Sequence, residues 1–410
     1  MPNFFDELGA LVEATWVRAN AKEADFPKIC TDILARRPPS EDVGIDDVIR
    51  LGFGSERLVR QIDADSDFGQ PAITLFANGL FYISVLFWMD ATTGIHEHGF
   101  NGAFHVLHGH SLHTTFSFED QHIVNEHMKL GRLRENTPEV LNRGATREIL
   151  PLGGTIHSLF HLGHPSATVV VRTYRSSVAR PQYTYWRPGI ACHEDYDRKE
   201  LTLRRAMMTL IYRTSPGNLF DYVQRWMAGT DFVSAFLGLQ HCLSLVSAEE
   251  GDELIERVRR NHEQIATLAR DVTENFRREL FITRRRQVVT DPELRFFLAV
   301  LLNVRGSKDA KRIVSQQFPG AEPVDRMIEW TRALGKLPPM DAGEDSALGV
   351  QVDDLLLGVL RGLLTGAPDG DVIGNAERSL GRRISERDRS DLRALCGALR
   401  GSELFRYVLS

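Results

Sequence analysis

The chain has 410 residues, more than one ordinary domain, and its 42% hydrophobic and 25% charged content is that of a globular protein with a sizeable core. A formal charge of −6 gives no electrostatic case for nucleic-acid binding. The longest apolar run, Leu75 to Met89, is broken by Asn78 and Gly79 and falls short of the roughly 20 apolar residues of a membrane span.

The opening Met-Pro-Asn-Phe-Phe-Asp-Glu has neither the basic start nor the apolar core of a signal peptide, so the cytoplasm is the expected location. Cys30, Cys192, Cys242 and Cys396 are far apart and form no CxxC pair. They are expected to be small buried hydrophobes rather than a disulfide or zinc framework.

Residues 1–65 read as helical. Phe4, Leu8, Leu11, Val12 and Trp16 give one apolar face, a second helix covers Phe26 to Ala35, and Ser40 or Asp42 caps a third running through Ile49. These helices are expected to pack on the outside of a sheet. From about Pro71 the pattern becomes that of short strands: Ile73–Phe76, Phe81–Asp90, Phe104–His108 and Ser111–Phe118, punctuated by glycines. After a polar excursion, strands resume at Glu148–Leu150, Ile156–Leu162, Ala167–Tyr174 and Tyr183–Arg187. Many short strands with glycine turns and no intervening helices predict a sandwich or barrel over residues 66–195.

Beyond Asp195 strand signals nearly vanish, and residues 196–410 read as an α-helical domain. The expected helices include Arg198–Tyr212, Leu219–Met227, Phe232–Leu245 and one long helix from Glu249 to Leu280. Arg284-Arg285-Arg286, with Arg277 and Arg278, is expected to be a solvated helix end, with docking of an acidic partner as the functional alternative. The fold class is therefore α+β: N-terminal helices, a β-barrel and a large all-α region. A second copy or a protein partner would bind through that last region.

Histidine is the outlier. Of 14 in the chain, 11 lie between His96 and His164. His96 and His98, two apart on a strand, share a face, while Glu97 points the other way. His157, opening a later strand, completes a three-nitrogen set suited to iron, zinc, nickel or copper. Three ligands with positions left open is a catalytic rather than a structural arrangement, and the uncompensated charge favours an anionic ligand. His161 shares the parity of His157 and is expected to point inward, as a proton carrier or an outer partner. His105, His108, His110 and His113 cannot all face one metal and are expected at the surface or outside the ligand set.

Phe81 to Trp88 followed by Gly94-Ile95-His96-Glu97-His98, then Gly109, His157 and Val170-Val171-Arg172-Thr173-Tyr174, resembles the cysteine dioxygenase-type cupins over roughly residues 70–175. The resemblance implies a jelly-roll barrel, Fe(II) on His96, His98 and His157, and addition of O2 to a small bound thiol. By position, Tyr174 matches an active-site tyrosine of that family and Arg172 replaces its outer histidine. Gly102 or Ala103 falls where eukaryotic members carry a crosslinking cysteine, so no Cys–Tyr crosslink is expected. The strand Ile73 to Asn78 lacks the arginine that holds the substrate carboxylate, a role open to Arg172 through its planar guanidinium. The partners expected are therefore a small-molecule substrate and O2. A non-thiol substrate for an oxygenase or lyase, or a non-enzymatic sensor or scaffold, are the alternatives.

Overall fold

The computed structural model describes residues 3–54, 59–63, 68–89, 92–174, 182–193, 199–340, 346–367, 372–374, 376–377 and 386–410. The boundaries expected near residues 65 and 195, and much of the polar stretch from Leu337 to Ala347, lie outside these.

The N-terminal helices are α1 (Phe4–Arg18), α2 (Phe26–Arg36), α3 (Pro39–Asp42) and α4 (Ile45–Gly54). Asn3 starts α1 with a capping box: its side chain accepts from the Phe5 and Asp6 amides while Asp6 accepts from the Asn3 amide. The expected single helix from Ser40 to Ile49 is two, because Val43 is extended and Gly44 follows it.

Twelve strands follow among the described residues: β1 (Ala72–Ala77), β2 (Phe81–Trp88), β3 (Ile95–His96), β4 (Gly102–His108), β5 (Ser111–Asn125), β6 (Met128–Glu135), β7 (Glu139–Leu141), β8 (Thr146–Ile149), β9 (Ile156–His161), β10 (Ser166–Thr173), β11 (Tyr183–Trp186) and β12 (Ile190–His193). They form two antiparallel sheets, ordered β1-β2-β10-β4-β8 and β6-β12-β11-β3-β9-β5-β7. This is the expected double-sheet jelly-roll barrel. Between β4 and β5, Gly109 turns the chain at φ +77°, in the left-handed region. Gly102 lies against β10 so closely that a Cβ there would collide with the Val171 carbonyl oxygen. The polar excursion is not loop. It is the outer half of β5 paired with β6, whose alternating exposed side chains hid it from an apolar-run search.

Alternation on β2 and β10 decides what lies inside. Phe81, Ile83, Val85 and Phe87 on β2, with Ala167, Val169 and Val171 on β10, point outward onto Phe5, Leu8, Val12 and Phe26 of the N-terminal helices. Burying each such side chain stabilises the fold by about 1.5–3 kcal/mol. The opposite parity, Ser84, Leu86, Trp88, Thr168, Val170 and Arg172, faces the barrel interior.

The C-terminal region is helical, as expected, and covers the other sheet. It comprises α5 (Lys199–Thr214), α6 (Leu219–Met227), α7 (Phe232–Leu245), α8 (Ala248–Arg259), α9 (Glu263–Val288), α10 (Pro292–Asn303), α11 (Ser307–Gln317), α12 (Pro323–Leu334), α13 (Asp354–Leu364) and a helix at Glu386–Gly401. Leu112, Phe160 and Leu162 of the barrel join one helical core, and Met128, Ile190 and Cys192 join another. The expected single helix Glu249–Leu280 breaks at His262, whose φ of −143° is not helical. Val258 and Ile265 stand seven residues apart, so the apolar register runs through the break and conceals it. The arginine run is not a solvated end. Arg278, Arg285 and Arg286 are all buried. Arg278 donates to the carbonyls of Leu301 and Leu302, which end α10, and stacks on Tyr407. Arg286 reaches Thr92 and lies over Phe160, tying α9 to the barrel. No helix among the described residues is long and apolar enough to cross a membrane.

Candidate metal centre

His96 on β3 stands opposite His157 on β9 in the strand register, and His98 follows two residues beyond. Their ring nitrogens lie within 4.8 Å of one another, and all three residues are buried. No other group of three such side chains converges in this way among the described residues. Glu97 turns away, as its parity requires. It accepts from the Tyr185 hydroxyl at 2.7 Å and the Tyr183 amide at 3.3 Å, and burial raises its pKa.

The second nitrogen of each ring shows how the ligands are set. Nδ1 of His96 donates to the Gly94 carbonyl at 2.8 Å, which leaves Nε2 deprotonated; that Nε2 is buried with no partner. Nε2 of His98 and Nε2 of His157 are 3.0 Å apart. Two nitrogens bound to one ion at about 2.1 Å are spaced by about 3 Å when the bonds are perpendicular. Behind His157 runs a chain of contacts. Its Nδ1 is 3.0 Å from Nε2 of His113, and Nδ1 of His113 is 2.9 Å from Oε1 of Glu139. Arg147 grips both oxygens of Glu139. Burial alone would raise the Glu139 pKa, but the bonds from His113 and Arg147 hold it at about 2. With Glu139 ionised, His113 donates to it and accepts from Nδ1–H of His157, which turns the bare Nε2 of His157 toward its two neighbours.

Burial also keeps the imidazoles neutral, the form that binds metals. The pKa of His96 is lowered to about 4 by desolvation, and those of His98 and His157 fall well below the usual range for the same reason. An orphaned buried nitrogen, three converging neutral imidazoles and an ordered outer layer fit a divalent cation of borderline softness.

His98 and His157 of the triad line a cavity of about 510 Å³. Phe68, Phe100, Phe104, Leu86 and Leu159 supply apolar walls; Asp63, His161, Arg172 and Gln182 supply polar ones. Arg172 lies 3.5 Å from the centre of the Phe100 ring and approaches Asp63 only to 4.0 Å, and its Nε is buried without a partner. His161 lines the cavity, as its parity predicts. Tyr174 is not brought to the site. β10 ends at Thr173, and Tyr174 is 39% exposed, its hydroxyl donating to the Asn78 carbonyl at 2.6 Å. Tyr82 lies one register step inward, with its hydroxyl on Asp63.

Two residues set aside on the sequence prove buried. His113 is the outer partner of His157. His105, on the outer face of β4, bonds Thr146 at 2.8 Å and Ser40 at 2.9 Å. For His113 no local signal was available, because only the β5–β9 register brings it to His157.

No protein-family model matches the chain, and no curated protein matches it in sequence. Three solved structures illustrate what it is similar to. A structure of DMSP lyases is 18% identical, with 29% of this chain and 55% of that chain covered and a TM-score of 0.19, so the chain spans little more than half its length. A hydroquinone 1,2-dioxygenase from Sphingomonas sp. TTNP3 with 4-hydroxybenzoate bound is 13% identical over 30% of this chain and 84% of that one, with a TM-score of 0.22. A cupin-2 domain containing protein from Shewanella frigidimarina NCIMB 400 is 14% identical over 32% and 91%, with a TM-score of 0.19.

Proposed function

We propose that this barrel is an Fe(II)-dependent oxygenase acting on a small, anionic, apolar-bodied metabolite. The observation that carries the reading is the unpartnered, buried Nε2 of His96 converging with Nε2 of His98 and His157, the last two residues lining a cavity. His96, His98 and His157 would hold the metal, and iron, when bound, supplies the electrons with which O2 is activated. A set of three neutral ligands leaves the ion's charge uncompensated and favours an anionic group beside it.

This chain's own residues do the rest. Arg172 has a guanidinium stacked on Phe100 and open toward the cavity, so it orients a carboxylate or similar anion. Asp63, 4.0 Å away, leaves that cation only loosely paired. The aromatic and aliphatic walls exclude water and hold the substrate body next to the ligands, which lowers the cost of bringing it and O2 together. The volume of about 510 Å³ is that of a cavity for a medium-sized organic ligand rather than a three-carbon amino acid thiol. The cavity therefore supports a larger substrate, thiol or not, over cysteine.

The test is O2 uptake by protein loaded with Fe(II) under anaerobic conditions, against a panel of thiols, amino acids and non-thiol organic acids. We expect uptake that depends on both iron and one substrate class and is lost in His157→Ala. Uptake that persists in His157→Ala with iron still bound would remove the site assignment.

A further inference from the structure

His161 is a second buried imidazole with one nitrogen left open, and it is not one of the three ligands. Its ring stacks on Trp88, 4.5 Å between centroids and 12° from parallel. Its Nδ1 meets the Ser111 hydroxyl at 2.9 Å and the Ser166 hydroxyl at 3.1 Å. Neither hydroxyl has another partner among the described residues, and a hydroxyl that donates to the lone pair of Nδ1 is satisfied. That places the ring proton on Nε2. This Nε2–H is buried, unpartnered and part of the cavity wall. Leaving a buried donor unpaired is costly, so such groups are kept where something else completes them.

The register shows where this donor sits. Arg172 pairs with Tyr82 at one end of the β10–β2 ladder, and Ser166 pairs with Trp88 at the other. Those two ends are about 20 Å apart along the strand, from a rise of about 3.3 Å per residue. On β9, His161 lies about 13 Å of strand beyond His157 by the same rise. Between the ends the inward positions are Ser84, Leu86, Thr168 and Val170, two hydroxyl and two aliphatic side chains, and Phe104, Ile149 and Leu159 add apolar lining. The cavity is thus a slot, with Arg172, His98 and His157 toward one end and, at the other, Nε2–H of His161 beside the likewise unpartnered Nε1–H of Trp88.

We propose that the substrate lies lengthwise in this slot, with its anionic group at the Arg172 end and an acceptor oxygen on Nε2–H of His161. The substrate class is an elongated organic acid with an apolar middle and a remote carbonyl, ether or carboxyl oxygen. The inference rests on reading the cavity as the substrate site, and His161 binds substrate without touching the metal.

Titration calorimetry with a homologous series of methyl-ketone carboxylates tests it, each beside the isostere carrying C=CH2 in place of C=O. At the best-fitting length we expect the ketone to bind about tenfold more tightly than the alkene. In His161→Phe, which keeps the stack on Trp88, the ratio falls to about one with the alkene unaffected, and His161→Gln restores part of it through its amide donor. A ratio near one at every length in the wild type, a ratio that survives in His161→Phe, or no binding by any member overturns the inference. The wild-type comparison needs no variant to fold. Running the series on iron-loaded and metal-free protein separates the two readings. A ketone preference in a protein that binds no iron contradicts the oxygenase and leaves the slot, whereas iron binding without the preference does the reverse.

Discussion

The outer and inner faces of the barrel use buried histidine in opposite ways. On the outer face of β4, His105 is wedged against α3 with both nitrogens satisfied, by Thr146 and Ser40. Inside, His96 and His161 each have one nitrogen fixed and the other left without a partner. Two arginines divide the same way. Arg278 in the helical region spends its guanidinium on the carbonyls of Leu301 and Leu302, while Arg172 in the cavity has only a 4.0 Å approach to Asp63. A polar group that holds the fold together has its hydrogen bonds within the protein, as the two terminal nitrogens of Arg278 do. A polar group that faces a ligand is ordered on one side and open on the other.

The largest expected effect erases the contrast by protonating both kinds at once. Unfolded histidines take up protons below about pH 6.5, whereas the folded pKa values are about 4 for His96 and His105 and about 3 for His161, in each case chiefly through burial. The unfolded chain then binds more protons, so stability is full above pH 6.5. It falls by up to about 1.4 kcal/mol per pH unit per histidine as pH drops toward 4. Thermal melts of metal-free protein from pH 8 to pH 4 check this; a flat profile would contradict the buried neutral imidazoles.

Removing a ligand should separate the faces. His96→Ala is expected to abolish stoichiometric metal binding while the chain still melts cooperatively. Next in size, His113→Phe or Glu139→Gln should weaken metal binding by about 10–100-fold, because the outer partners orient His157. Metal competition titrations measure that loss, and unchanged affinity would reduce the His157–His113–Glu139 chain to packing. The smallest effect lies on the outer face. His105→Phe leaves Thr146 and Ser40 hydroxyls unpaired and should cost about 1–3 kcal/mol of stability. Its metal affinity should equal the wild type's, and a loss of metal there would break the distinction between the faces.

Much of this was legible in the sequence. Strand parity put His96 and His98 on one face, turned Glu97 away and gave His161 the face of His157, while the cupin resemblance joined His157 to the pair. The succession of segments gave the helix–barrel–helix order. What stayed hidden depended on contacts distant in sequence. Nothing local marks His113 as a partner of His157, since they are brought together only by the β5–β9 register. Tyr174 had the right parity, but the end of its strand, which parity does not report, takes it out to Asn78. The Arg284-Arg285-Arg286 run looked solvated because charge usually is; the free carbonyls of Leu301 and Leu302 and the Phe160 ring that bury its neighbours come from other elements. β6 was missed because a ribbon with one wet face has no apolar run.

The central claim is that the inner histidines form a metal site. Elemental analysis of the purified protein beside its His96→Ala and His157→Ala variants tests it most directly. The expected result is iron near one per chain in the wild type and little in either variant. Metal-free wild-type protein that takes up no Fe(II) on anaerobic titration, or variants that keep full iron, would contradict it.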